Sequence, residues 1–225
     1  FVISFSITTI IVAITVVVSL LAFNDKDLSY RLTLSPYSVK HHKRWWQILT
    51  HGFVHADYMH LGLNMYVLYS FGGFVESVLV DGYVNSSSGV SVGGFGNVGY
   101  LYFVSLYVGG LLFATVPSLK KHGDNPGYLA VGASGAVSAI VFSSIILYPT
   151  GGMGLLFIPI RIPSFIFGVL YLLAEQYMSK KGGTRIAHDA HIGGAFFGVF
   201  FTVLLDFNFL TNFVDMINGW FSRIF

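Results

Sequence analysis

The chain has 225 residues, of which 54% are hydrophobic, 17% aromatic and only 10% charged, with a mean hydropathy of +0.71. Soluble domains run near ~25% charged, so this composition excludes a water-soluble globule and points to a polytopic, all-α membrane protein. Cysteine is absent, which removes disulfides and thiolate chemistry; a net charge of +2 from scattered Lys and Arg offers no nucleic-acid surface.

A span takes roughly 20 apolar residues, and six are expected. The chain opens on Phe1 rather than Met, so residues are expected to precede it. The run 1–23 is too long for a signal-peptide core and reads as a retained first span. A polar segment follows from Asn24 to Met59, with Lys26, Arg31, Lys40, Lys43 and Arg44 beside Trp45 and Trp46. Basic and aromatic residues together belong at the headgroups, which places this segment on the membrane surface. The second span is 60–80, and the Gly/Ser-rich stretch 85–96 reads as a flexible connection. The third is 99–116, stopped by Pro117; the fourth is 129–148, stopped by Pro149. The fifth, 155–178, contains Pro159 and Pro163, and the sixth is 189–209. A tail with Trp220 and Arg223 reads as interfacial. No internal repeat or domain boundary is visible, so 1–225 reads as one membrane domain.

Polar residues at membrane depth are costly and point to chemistry. Ser134 lies in Gly132-Ala133-Ser134-Gly135, about one turn into the fourth span, roughly 8 Å from its start at ~1.5 Å per residue. The glycines let a backbone approach closely, although small residues also serve plain helix packing. His191 shares a helical stripe with Gly194 and Gly198, a GxxxG face that brings another backbone near. If the partner is the small-residue stripe of the fourth span, imidazole and hydroxyl meet, as base activation of a serine requires. His188 is a competitor, with His191 preferred as the deeper of the two, and Asp189 points to another face, so a dyad fits better than a triad. His60 and Asn64, at i and i+4 in the second span, are donors suited to an oxyanion. His51, His55 and His60 have spacings that a metal could use, but without a His-Glu-x-x-His arrangement they read as hydrogen-bonding groups, and neither metal nor cofactor is expected. Glu76 reads as a structural tie.

Together these residues resemble the rhomboid family of intramembrane serine proteases. The resemblance rests on His60-x-x-x-Asn64, Gly132-Ala133-Ser134-Gly135 and Ala190-His191-Ile192-Gly193-Gly194 with Gly198, each on its own span, and it extends to His55 and to Gly72-Gly73 with Glu76. It implies a six-helix bundle with a membrane-embedded first loop. Ser134 would be the nucleophile and His191 the base, with His60, Asn64 and the Ser134 backbone N–H as the oxyanion hole. It implies substrates that are membrane-anchored proteins, cut in or near their transmembrane helix, and a fifth span that with the 180–187 loop forms a lateral gate and cap. Two positions depart from the family. Ser138 stands where some members carry an aromatic residue under the histidine, so another group must orient His191, and Trp46 is followed by Gln47 rather than Arg.

Ten of the twelve Lys and Arg lie in the first, third and fifth loops, which the positive-inside rule puts in the cytoplasm. The resemblance places that face, with the active site, on the non-cytoplasmic side, and this orientation is the one expected. A non-catalytic rhomboid-like chaperone or adaptor is the alternative, although Ser134 and His191 are both present. A proton-coupled transporter would show inverted repeats and more intramembrane carboxylates, and neither is read from the sequence.

Overall fold

A helix in hydrocarbon turns its large apolar side chains outward and its small and polar ones toward other helices. The first helix, α1 (Ile7–Asn24), is built this way: Ile10, Ile14, Val17 and Leu21 are exposed, while Thr8, Thr15, Ser19 and Ala22 are buried against the protein. The computed structural model describes residues 6–84, 91–154, 161–181 and 187–224. Within them the polar segment folds as three short helices, α2 (Lys26–Leu32), α3 (Pro36–His42) and α4 (Gln47–Thr50), and a 3-10 turn over His51–Phe53. Local chemistry sets these starts. Asp25 accepts from the Asp27 and Leu28 amides, and Ser35 accepts from the Ser38 amide with Pro36 opening α3.

The long helix α5 (Tyr58–Asp81) starts on Asp57, whose carboxylate accepts from the His60 amide. It runs antiparallel to α1. At its far end Glu76 receives the Ile7 amide at 2.7 Å, the Thr8 amide at 2.8 Å and the Thr8 hydroxyl at 2.7 Å. A buried carboxylate thus caps the N-terminus of α1, where unpaired amides and the helix dipole favour negative charge. The stretch expected as a flexible connection is partly ordered: β1 (Gly82–Val84) pairs antiparallel with β2 (Ser91–Gly93), and 85–90 lie outside the described residues.

Helix α6 (Val98–His122) passes through Pro117, which was expected to end the third span. Proline is tolerated inside membrane helices where neighbouring groups re-satisfy the freed backbone carbonyl. Helix α7 (Ser134–Leu147) begins five residues later than the fourth span expected at 129. Residues 128–133 are non-helical, and Gly132 takes a φ of +111°, a left-handed conformation that stops any helix from passing through it. The hairpin β3 (Gly152–Met153) and β4 (Ile162–Pro163) precedes α8 (Ser164–Lys181), so Pro163 lies before the fifth helix rather than within it, and Leu155 to Ile160, with Pro159, lie outside the described residues. Helix α9 (His188–Leu205) ends at Asp206, whose carboxylate takes the Asn208 amide and starts α10 (Asn208–Phe221), so the sixth span is shorter than expected. Trp220 in α10 packs edge-on against Phe165.

The protein is mostly helical and multi-pass. Among the described residues α1, α5, α6 and α9 are long and apolar enough to cross a membrane, and α7, with 14 residues, is a shorter apolar helix. Contact between α7 and α9 organises the interior. A Cβ added at Gly194 would lie 2.0 Å from the Gly135 carbonyl oxygen, and one at Gly198 2.2 Å from that of Ala139. One turn further on, Thr202 Oγ1 lies 2.8 Å from Ser143 Oγ. Positions 194, 198 and 202 therefore meet 135, 139 and 143 in order, so the two helices run parallel with their N-terminal ends together. Helix α6 closes the junction through Gly110 and Ala114, which touch Ala139 and Gly135.

Gly198→Ala should destabilise the protein by about 3 kcal/mol or prevent its folding, because the new methyl meets backbone rather than a movable side chain. Gly62→Ala, where a Cβ meets nothing within 4 Å, should change stability by less than about 1 kcal/mol. Thermal unfolding in detergent, run on both variants, checks the contrast.

Candidate active site

Ser134 is the first residue of α7 and is half-buried. It therefore opens the helix rather than lying one turn into it, as a span beginning at 129 implies. As a first-turn residue it stands where the backbone amides of α7 have no helical acceptor and the dipole is positive. The segment that delivers it is pinned to the first loop at three points. Leu34 and Ala130 exchange two backbone hydrogen bonds of 3.0 Å, the Gly132 amide donates to the His51 carbonyl at 2.9 Å, and the Ala133 amide approaches His55 Nε2 at 3.5 Å.

The His55 tautomer follows from its partners. The single hydroxyl proton of Ser19 goes to the Phe53 carbonyl at 2.8 Å, so His55 Nδ1–H donates to Ser19 Oγ at 3.0 Å and Nε2 is left to accept from Ala133. Burial lowers the His51 pKa to about 4, against opposing hydrogen bonds to the Gln47 and Ile48 backbone. It lowers that of His55 to about 3, helped by nearby His60. Both imidazoles are neutral at neutral pH and act as scaffold.

The His60 ring lies over Gly132, where a Cβ would come 2.7 Å from Cε1; the missing side chain is what admits the ring. His60 also packs edge-on against His55, with centroids 5.0 Å apart. The structure thus gathers His55, His60, Gly132 and the start of α7 at one place. Asn64 is buried on the same face of α5, but its amide donates to the His60 carbonyl at 2.9 Å, within its own helix. Glu76 lies at the opposite end of α5, in the α1 cap.

The parallel register of α7 and α9 puts His191 at the Ser134 end, and the Ala190 carbonyl lies 3.6 Å from a Cβ placed on Gly135. His191 Nδ1 lies 3.0 Å from Glu175 Oε1, and His188 Nδ1 lies 2.6 Å from Glu175 Oε2. Glu175 comes from α8 and is buried, so one carboxylate holds both imidazoles. Here the sequence reading fell short. A carboxylate stands in Leu172-Leu173-Ala174-Glu175, inside the expected fifth span, and its cost alone marks it as a candidate. His188, expected to be the shallower residue, is the more enclosed: its side chain is 4% exposed against 15% for His191. Asp189 does face elsewhere, bonding Ser179 and approaching Lys121 at 3.6 Å. Ser138 meets Tyr171 of α8 at 3.3 Å, so an aromatic ring reaches that position from a neighbouring helix. Glu175, His188 and His191 are also the one group among the described residues able to share a metal ion; His51, His55 and His60 do not form one.

The Rhomboid domain family model matches residues 42–206. Over 154 residues, 66% of the chain, it is 31% identical to RHOMBOID-like protein 12, mitochondrial, of Arabidopsis thaliana, covering 43% of that protein. It is 26% identical over 151 residues to presenilin-associated rhomboid-like protein A, mitochondrial, of Danio rerio, covering 34% of it. Against the human presenilin-associated rhomboid-like protein, mitochondrial, it is 24% identical over 155 residues, covering 35%. The chain thus spans less than half the length of these relatives.

Acid should unfold the protein through its first loop. The unfolded chain binds protons at His51 and His55 near pH 6.5, whereas the folded chain does so only near 4 and 3. Their stabilisation is complete above pH 6.5 and is lost as pH falls, by up to about 2 kcal/mol per histidine at pH 5. Unfolding measured from pH 7.5 to 4.5, with His51→Gln flattening the slope, checks it.

Proposed function

The chain belongs to the rhomboid family, and from that premise we propose that it is an intramembrane serine endopeptidase cutting membrane-anchored proteins in or near their transmembrane helix. The observation that carries the proposal is the bond between His191 Nδ1 and the buried Glu175 carboxylate, at the end of α9 that lies beside Ser134. A carboxylate accepts, so Nδ1 holds the ring proton and Nε2 keeps its lone pair. That is the tautomer a general base needs.

In this reading Ser134 Oγ attacks the scissile carbonyl while His191 Nε2 takes its proton, and the imidazolium that forms is stabilised by Glu175. The tetrahedral oxyanion meets the unpaired amides at the start of α7, with His60 across Gly132 and Asn64 as side-chain donors. His191 then returns the proton to the leaving amine, and water repeats the cycle on the acyl-enzyme. Asn64 would turn from the His60 carbonyl toward the oxyanion when substrate arrives. Gly135, Gly194 and Gly198 serve by letting α7 and α9 touch, His55 by holding the Ala133 amide, and Glu76 by fixing α1. No cofactor takes part.

We read α7 and α8 as the two further crossings of a six-helix bundle. The α8 face bearing Leu170, Leu173 and Tyr177 is exposed, which suits lipid and an entering substrate helix. The site would open to the non-cytoplasmic side, and the mitochondrial names of the relatives make a mitochondrial membrane a candidate location.

Purified protein should cleave a reporter with a helix-destabilised transmembrane segment. Ser134→Ala and His191→Ala should each lower turnover by at least about 10³-fold, and Glu175→Gln by about 10²-fold with KM little changed. An active Ser134→Ala variant would end the proposal. Loss of cleavage with retained binding of the reporter in the unmodified chain would indicate the chaperone-like alternative.

A further inference from the structure

One base needs one orienting carboxylate, yet Glu175 holds two imidazoles. The ligand atoms of Glu175, His188 and His191 all lie within 4.8 Å of one another. His188 and His191 sit at i and i+3 on one face of α9, and Glu175 faces them from α8. All three are already largely withdrawn from solvent, with side-chain exposures of 4%, 7% and 15% for His188, Glu175 and His191. Two imidazole nitrogens with one carboxylate form a donor set for a borderline divalent ion such as Zn²⁺, with coordination positions left open. Mg²⁺ and Ca²⁺, which prefer all-oxygen shells, are poorly served. Bonds of ~2.0 Å in a tetrahedral shell separate ligands by roughly 3.3 Å, close to the 2.6 and 3.0 Å contacts present. A polar pocket of about 180 Å³, lined by Lys121, His122, Tyr128, Ser179 and Asp189, has His188 of the cluster in its wall.

We propose that Glu175, His188 and His191 form a Zn²⁺ site whose occupation switches the enzyme off. The ion would bind Nδ1 of both histidines and the Glu175 carboxylate. Coordination at His191 Nδ1 moves the neutral ring's proton to Nε2, the atom that accepts from Ser134. The imidazole then has no lone pair to offer, and the metal has taken its carboxylate. No net proton is gained or lost by the ring. The inhibitory half of this proposal rests on the serine-protease reading; the binding half does not.

The test uses the full chain in detergent at pH 7.5. Calorimetric titration with ZnCl₂ and visible absorption of added Co²⁺ should report one ion per chain, at least tenfold weaker in His188→Gln and in Glu175→Gln. Circular dichroism of both variants should match the unmodified protein. Reporter cleavage should be inhibited by Zn²⁺ and restored by EDTA. In His188→Gln, the sensitivity of whatever turnover remains to zinc should fall at least tenfold. Absence of binding, or binding unchanged in both variants, overturns the site. Binding that depends on His188 but leaves cleavage unaffected overturns the switch. If the unmodified chain cleaves nothing, the protease reading fails, and the titrations still decide whether the site exists.

Discussion

Backbone contact between two parallel helices is the constraint on which the structure depends. Gly194 and Gly198 of α9 press on the carbonyls of Gly135 and Ala139 of α7 with no room for a side chain. In hydrocarbon, where apolar burial gives helices little reason to associate, dispersion at such close approach is a main source of cohesion. The contact also sets register: 194, 198 and 202 against 135, 139 and 143 leave no freedom to slide by less than a turn. Because the helices run parallel, fixing that register also fixes which residues share an end, and Ser134 and His191 share one.

Much of this was legible. The GxxxG stripe of α9 and the small residues of α7 predicted their own contact, since close approach leaves a sequence trace at i, i+4 and i+8. Boundaries were harder. Pro117 and Gly132 are both breakers by propensity, yet α6 passes through the first and α7 cannot start before the second. A proline in a membrane helix loses one hydrogen bond that neighbours replace, whereas a φ of +111° reverses the chain's course. Ser134 therefore begins α7 instead of lying one turn inside it. Glu175 was missed for a different reason. The partner of His191 arrives not from its own neighbourhood in sequence but from another helix, 16 residues away, in a run that periodicity marks only as apolar.

Three polar residues show how such groups are kept inside an apolar bundle. Glu76, Ser19 and His55 are each buried, and each has its hydrogen bonds completed by backbone or a neighbouring side chain. Such groups would be costly unpaired. Paired, they join elements distant in sequence: α1 to α5 at one end, and α1 to the first loop and the segment before α7 at the other.

The four bonds that tie Leu34, His51 and His55 to Ala130, Gly132 and Ala133 carry an implication for biosynthesis. A chain made from its N-terminus has the mould for the Ser134 turn before the turn itself exists, and the turn can set as soon as residue 133 emerges. The imidazole comes later, on a helix that must seat two glycines against an already formed α7. The end shared by Ser134 and His191 is therefore completed by the docking of α9 rather than by any local sequence. A half-inserted chain holds Ser134 without His191, so the end that the two residues share is complete only once α9 has docked.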